Sequence, residues 1–210
     1  MPAFVRIRMS ALDDLYQKTW NGARISMAEA RLLYACPLHE LGLLADQRRQ
    51  RAKATAYGGL GNRIVTYIVD RNINYTNICC VGCAFCAFHR HEGDPDAYVI
   101  AFDELDRKIE ETLALGGTQI LLQGGHHPNL SLAWYLDMVS HVKSRFPQIN
   151  IHGFSPPEFV HMARRFNVPI ADLLSRFKAA GLGSIPGGGA EILADRVRRQ
   201  ISPAKATADE

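Results

Sequence analysis

Residues 63–86 read RIVTYIVDRNINYTNICCVGCAFC, a β-branched, mostly apolar run that passes directly into a loop carrying four cysteines. Residues 63–70 (RIVTYIVD) predict a strand. Apolar side chains at both parities suit a strand buried on both faces, as the strands of parallel sheets are. The cysteine loop then leaves the C-terminal end of that strand, where (β/α) folds gather their functional groups.

Downstream the same unit recurs. A helix near residues 103–115 ends at Gly116-Gly117, and TQILLQGG (118–125) is a strand with a glycine exit. SLAWYLDMVSHVKSRF (131–146) is a helix stopped by Pro147, and INIHGF (149–154) is a strand followed by SPPE (155–158). A helix over 170–180 ends at Gly181, a short strand GSI (183–185) leads into PGGGAEI (186–192), and a last helix runs to about residue 200. Apolar periodicity and glycine or proline stops carry these assignments. Alternation of this kind predicts an α/β fold, a parallel sheet with helices outside it. With about four βα units, where eight close a barrel, the expectation for residues 61–210 is a partial (β/α) TIM-type barrel, the N-terminal part only.

Upstream, residues 1–60 read as an N-terminal helical layer. Ser26 and Glu29 form a capping box, and a helix after Pro37 is expected to carry Leu38, Leu41 and Leu44 inward until YGGLGN (57–62) stops it. At the other end Thr207 and Glu210 have the spacing of a second capping box, the start of a helix whose body is missing. The expectation is a chain truncated at its C-terminal side. Its unpaired edge strand would then call for a complementary chain to complete the barrel.

Composition narrows the function classes. A net charge of +3 from 24 basic and 21 acidic residues leaves no footprint for nucleic acid or a membrane surface. The basic runs RRQRAK (48–53) and RVRR (196–199) read as solvated helix faces. With no long apolar span and no apolar leader at the start, a soluble, cytoplasmic protein is expected. Four of the five cysteines are too crowded for disulfides, which points to a metal in a reducing compartment, while Cys36 reads as a buried small hydrophobe.

The crowded four are Cys79, Cys80, Cys83 and Cys86. Cys79, Cys83 and Cys86 are spaced C-x3-C-x2-C, and three thiolates in a short loop can hold three irons of a cubane cluster and leave the fourth open. Cys80, Cys83 and Cys86 instead give C-x2-C-x2-C, the start of a ferredoxin run, which wants another cysteine at position 90, where Arg90 stands. Zinc would need a fourth ligand, which His89 or His91 could provide. A stand-alone iron–sulfur or zinc-binding module is the reading from a different class.

With Phe85 directly before the last cysteine, the C-x3-C-x2-C loop resembles the cluster motif of the radical S-adenosylmethionine (SAM) superfamily. DRNINYTNIC, FCAFHR, LLQGGHHPNL, IHGFSPPE and SIPGGGAEIL are similar to one branch of it, the radical enzymes of futalosine-dependent menaquinone synthesis and their deazaflavin-synthase relatives. The likeness covers roughly residues 38–210. SPPE together with PGGGAEIL and DRVRRQISPAKATADE (195–210) most resembles the members that cyclise dehypoxanthine futalosine; aminofutalosine synthases tend to differ at SPPE and deazaflavin synthases at GGG.

The resemblance implies a 4Fe-4S cluster on Cys79, Cys83 and Cys86, with Cys80 a bystander, and SAM chelated at the open iron. It implies an electron from reduced flavodoxin or ferredoxin, a 5′-deoxyadenosyl radical, and hydrogen abstraction from the ribose of dehypoxanthine futalosine, in an interior expected to be lined by apolar strands. Phe85, Gln123, Gly124, Gly125 and Ser155 become candidates for binding the cofactor, and Glu158 and Glu191 for catalysis. His127 and His152 stand as possible polar site residues, and His126 has no assigned role.

Overall fold

The computed structural model describes residues 3–210, with side chains from residue 12 onward. The chain divides into two units, the first ending at Tyr67 and the second spanning Ile68–Glu210.

The first unit is helical: α1 (Ala3–Trp20), α2 (Met27–Tyr34) and α3 (Leu38–Lys53). Its core is Leu15, Leu33 and Leu44, with Ile25 and Leu41 packed against them. The capping box forms, with the Ser26 amide donating to Glu29 Oε2 (2.6 Å) and the Glu29 amide to Ser26 Oγ (3.3 Å). Two expectations fail. Leu38 is 84% exposed, because steps of three fall short of the 3.6-residue turn and carry it well round the helix from Leu44. Cys36 is only half-buried, since Pro37 breaks its apolar run between two helices and leaves its thiol donating to Leu32 O in the turn (3.4 Å).

The second unit is a three-stranded parallel sheet in sequence order: β1 (Asp70–Asn74), β2 (Gln119–Gln123) and β3 (Asn150–Gly153). Around it lie α4 (Phe102–Ala114), α5 (Leu132–Arg145), α6 (Pro156–Phe166), α7 (Ile170–Ala180) and α8 (Asp195–Ile201). The expected fourth strand is reduced to a single parallel bridge from His152 to Ser184. The strand expected over 63–70 lies further on. Pairing begins at Asp70↔Gln119, where β2 starts, and the residues before it have no strand to join. Val65 and Tyr67 are accordingly 88% and 87% exposed.

Register sets the two faces of the sheet. Ile73, Leu122 and Gly153 are paired across it, and with Ile120 and Ile151 they meet the helices, where Leu105, Ile109, Met138, Val139 and Val142 are fully buried. On the alternate parity Asn72, Leu121 and His152 are in register, as are Asn74 and Gln123. The inner face is therefore polar, not the apolar lining expected, because a period-two strand with one apolar face must offer its other parity there.

An aromatic cluster closes the end of the sheet where the strands exit. Phe154 packs edge-on against Phe159 (5.8 Å) and Phe177 (4.9 Å) and beside Tyr75 (5.7 Å). Its backbone is left-handed (φ 62°), an uncommon state for a bulky residue, held by its amide bond to Leu122 O (2.6 Å). This bend turns the chain from β3 into Ser155, which caps α6. The prolines of SPPE serve as the first residues of that helix. None of the described helices is long and apolar enough to cross a membrane.

Candidate functional site

At the C-terminal ends of the strands lies a cavity of about 330 Å³. Asn72 and Asn74 reach it from β1, Gln123 from β2, and Ser155 and Glu158 from the start of α6. Cys79, Cys83 and Cys86 line it together; Cys80 does not, and is exposed. All five cysteines are free.

Backbone bonds hold the cysteine loop from several sides. The Cys79 amide donates to Arg90 O (3.0 Å), and the Arg90 amide to Asn77 O (2.8 Å), so the loop returns to its own root. The Cys80 amide donates to His126 O (3.0 Å) and the Ala84 amide to Ile201 O (2.8 Å), tying the loop to the β2 exit and to α8. Arg90 also pairs with Asp96 (2.7 Å).

Glycine is required where β2 ends. A Cβ on Gly124 would sit 2.5 Å from the Tyr75 ring. One on Gly125 would overlap Ile78 O and lie 2.9 Å from Cys79 Cβ. The β2 exit thus presses its backbone directly against the root of the cysteine loop. No donor among the described residues reaches the carbonyls of Gly124 or Gly125, whereas both amides are used, toward Glu158 and Thr76.

Glu158 is buried, and its oxygens are already bonded. Tyr75 OH donates to Oε1 (2.7 Å), the Gly124 amide to the same atom (3.3 Å), and Ser155 Oγ to Oε2 (2.6 Å). Ser155 in turn accepts from the Glu158 amide (3.4 Å). Gln123 Nε2 donates to Phe154 O (3.1 Å). These three candidates line the cavity while their polar atoms brace its wall.

Burial raises the Glu158 carboxyl to about 7, against the lowering pull of the Ser155, Tyr75 and Gly124 bonds. An acid whose folded value exceeds its unfolded one contributes stability that is fully present below the ordinary 4.5 and lost as pH rises toward 7. Relative to Glu158→Gln, the wild type should lose stability across that window and no further above it. Urea midpoints of the two proteins from pH 4.5 to 8 measure this, and parallel curves would contradict it.

Glu191 lines the cavity from the PGGGAE loop in a left-handed backbone state (φ 39°) and accepts from Lys205 Nζ (2.6 Å). Lys205, itself on the cavity wall, sits 6.0 Å over the Phe85 ring. Arg198 is buried, correcting the solvated face expected of RVRR. Its guanidinium donates to Ala190 O (2.6 Å), Ile192 O (3.1 Å) and Ala206 O (3.1 Å through Nε), fixing the residues either side of Glu191. Nothing local in ISPAK or RVRR marks Lys205 or Arg198, because both acquire their partners through loops that fold back on α8.

His127 serves its own loop, its Nδ1 accepting from the Asn129 (2.9 Å) and Leu130 (3.2 Å) amides. His152 Nδ1 bonds Ser184 Oγ (2.7 Å) on the inner face of the sheet.

The site fits a cluster better than a lone ion. Among the described residues no three His, Cys, Asp or Glu side chains converge as one ion requires. In a cubane each thiolate takes a different iron, so three thiols spread along one wall are suitable.

Known proteins resemble the chain in sequence and in fold. The family model described as "Radical SAM superfamily" matches residues 73–210. The cyclic dehypoxanthine futalosine synthase of Streptomyces coelicolor is 42% identical over 196 residues, covering 92% of this chain and 48% of its own length. A 5-amino-6-(D-ribitylamino)uracil–L-tyrosine 4-hydroxyphenyl transferase of Methanopyrus kandleri is 44% identical over 169 residues, covering 80% of this chain and 46% of its own. The chain spans about half the length of these curated relatives. Among solved structures, HydG, a maturase of the FeFe-hydrogenase, superposes with a TM-score of 0.69 at 16% identity, over 97% of this chain and 42% of that one, a likeness of fold.

Proposed function

The chain belongs to the radical SAM superfamily, and from that premise we propose that it forms the cluster-bearing part of a cytoplasmic enzyme that cyclises dehypoxanthine futalosine for menaquinone synthesis. The observation that carries this reading is the separation of the four cysteines: Cys79, Cys83 and Cys86 share one cavity wall, and Cys80 lies outside it. That is the ligand set which leaves one iron of a 4Fe-4S cluster open. The choice of substrate rests on the 42% identity to a named cyclase.

A cluster held there would supply the electron that splits SAM into methionine and a 5′-deoxyadenosyl radical, with reduced flavodoxin or ferredoxin as its source. The chain's own residues prepare the space. Gly124 and Gly125 offer two uncommitted carbonyls beside Cys79, acceptors suited to an ammonium group. Glu158, bonded to Tyr75, Ser155 and the Gly124 amide, acts as a positioning residue for that strand end, not as a group that touches substrate. Glu191, paired with Lys205 and held by the bonds of Arg198 to its neighbours, is the carboxylate placed to meet a ligand. Phe85 and Phe88 contribute apolar wall that limits water, as radical chemistry requires.

The free edge of β1 is proposed to be covered by a further βα segment, on this or another polypeptide. A second reading, a deazaflavin-type radical enzyme joining tyrosine to a ribitylaminouracil, is favoured by the 44% identity to a transferase of that name. Anaerobic incubation of the reconstituted protein with SAM and reductant, adding dehypoxanthine futalosine or else tyrosine with the uracil, decides between them. The substrate that accelerates 5′-deoxyadenosine formation is the one accepted; acceleration by the second pair alone would overturn the cyclase assignment.

A further inference from the structure

Among the described residues, one buried polar side chain of the cavity has no hydrogen bond. His126 is 7% exposed and lines the cavity with Cys79, Gly125 and Lys205. Its ring stacks on His161 of α6, with centroids 4.9 Å apart and planes 17° from parallel. Its backbone carbonyl accepts the Cys80 amide (3.0 Å), so the ring is carried on the segment that braces the cysteine loop.

The other histidines nearby are committed. His127 caps its loop, His152 bonds Ser184, and His161 Nε2 lies 3.3 Å from His127 O. No hydrogen bond from the described residues reaches either ring nitrogen of His126. Neither is sealed off, however: among the described residues the one fully buried side-chain polar atom without a partner is Ser202 Oγ, outside the cavity lining. The ring thus keeps some access, and the residue lines the cavity. Burial, then the neighbouring His161 and Lys205, push the imidazole down to about 3, so it stays neutral, a donor at one nitrogen and an acceptor at the other.

A polar group kept buried at a cost, unbonded within the protein and open to a cavity, is matched by a ligand group. Resting on the radical SAM reading of the site, we propose that His126 is a ligand-contacting residue whose imidazole hydrogen-bonds an oxygen of the ribose-bearing small molecule held beside Cys79. SAM and dehypoxanthine futalosine share that chemistry, and the two arms of the test tell them apart.

The test is equilibrium binding of each molecule separately to the anaerobically reconstituted chain, with iron and sulfide counted first. His126→Leu should load iron as the wild type does and bind one of the two molecules about tenfold more weakly, the size of one lost hydrogen bond in a buried site. His126→Gln should recover most of that affinity, because its amide restores a donor. His161→Phe keeps an aromatic partner for the stack and should bind both molecules unchanged. Weakened SAM binding assigns the contact to the cofactor, and weakened dehypoxanthine futalosine binding assigns it to the substrate. Unchanged affinity for both in His126→Leu, or iron lost in both His126 variants, would show a packing ring and overturn the proposal. A wild-type chain that loads iron yet binds neither molecule would overturn the reading of the site itself, before any substitution is made.

Discussion

Cys79→Ala should bring the iron and sulfide retained after anaerobic reconstitution down to background, while Cys80→Ala retains the four-iron cluster of the wild type. The two thiols are adjacent in the chain and differ in where the loop puts them. Cys79 sits at the root, its amide bonded to Arg90 O (3.0 Å) and its Cβ against Gly125, and it shares the cavity wall with Cys83 and Cys86. Cys80 turns outward, its amide used by His126 O (3.0 Å) and its side chain exposed. Removing one of three thiolates leaves two, too few to hold a cubane. Iron and sulfide analysis with the visible absorption of the cluster reads both variants; a Cys80→Ala protein that loads no iron while Cys79→Ala does would reverse the ligand assignment.

Gly125→Ala should be nearly as damaging, although it adds one methyl group and removes nothing. That methyl would overlap the Ile78 carbonyl and crowd Cys79 Cβ at 2.9 Å, one a backbone group and the other an atom fixed directly to the backbone, so no flexible chain end can give way. Overpacking of this kind costs about 1–3 kcal/mol, and a displacement of about 1 Å at a reacting centre can cost a hundredfold in rate. The expected result is a lowered urea midpoint and a chain in which SAM no longer perturbs the reduced cluster. Gly42→Ala is the matched control: within α3, with nothing within 4 Å of its added carbon, it should stabilise by about 0.5–1 kcal/mol through helix propensity. Equal effects of the two substitutions would mean that the close approach at Gly125 is not tight.

Parts of the fold were legible in the sequence because their signals are local. Cysteine spacing, the glycine exit of TQILLQGG and the capping box at Ser26 each occupy a few consecutive residues, and the structure realises the strand exit and the cap as read. What escaped depends on partners distant in the chain. RIVTYIVD has the composition of a strand, but pairing exists only from Asp70, so Val65, Tyr67 and Ile68 stay exposed. RVRR reads as a solvated face, yet Arg198 finds three backbone carbonyls in loops on either side of it and is buried. Nothing local in SPPE shows that the fold brings Tyr75, 83 positions away, within 2.7 Å of Glu158. His126 could be weighed only once the bonds of its neighbours were known.

The central claim, a cluster with one iron reserved for SAM, is tested most directly by the electron paramagnetic resonance spectrum of the dithionite-reduced, reconstituted chain recorded before and after adding SAM. Three protein thiolates with an open iron predict a reduced 4Fe-4S signal whose g-values and line shape change when SAM binds. A signal that is the same with and without SAM, in a protein carrying its full complement of iron and sulfide, would contradict it.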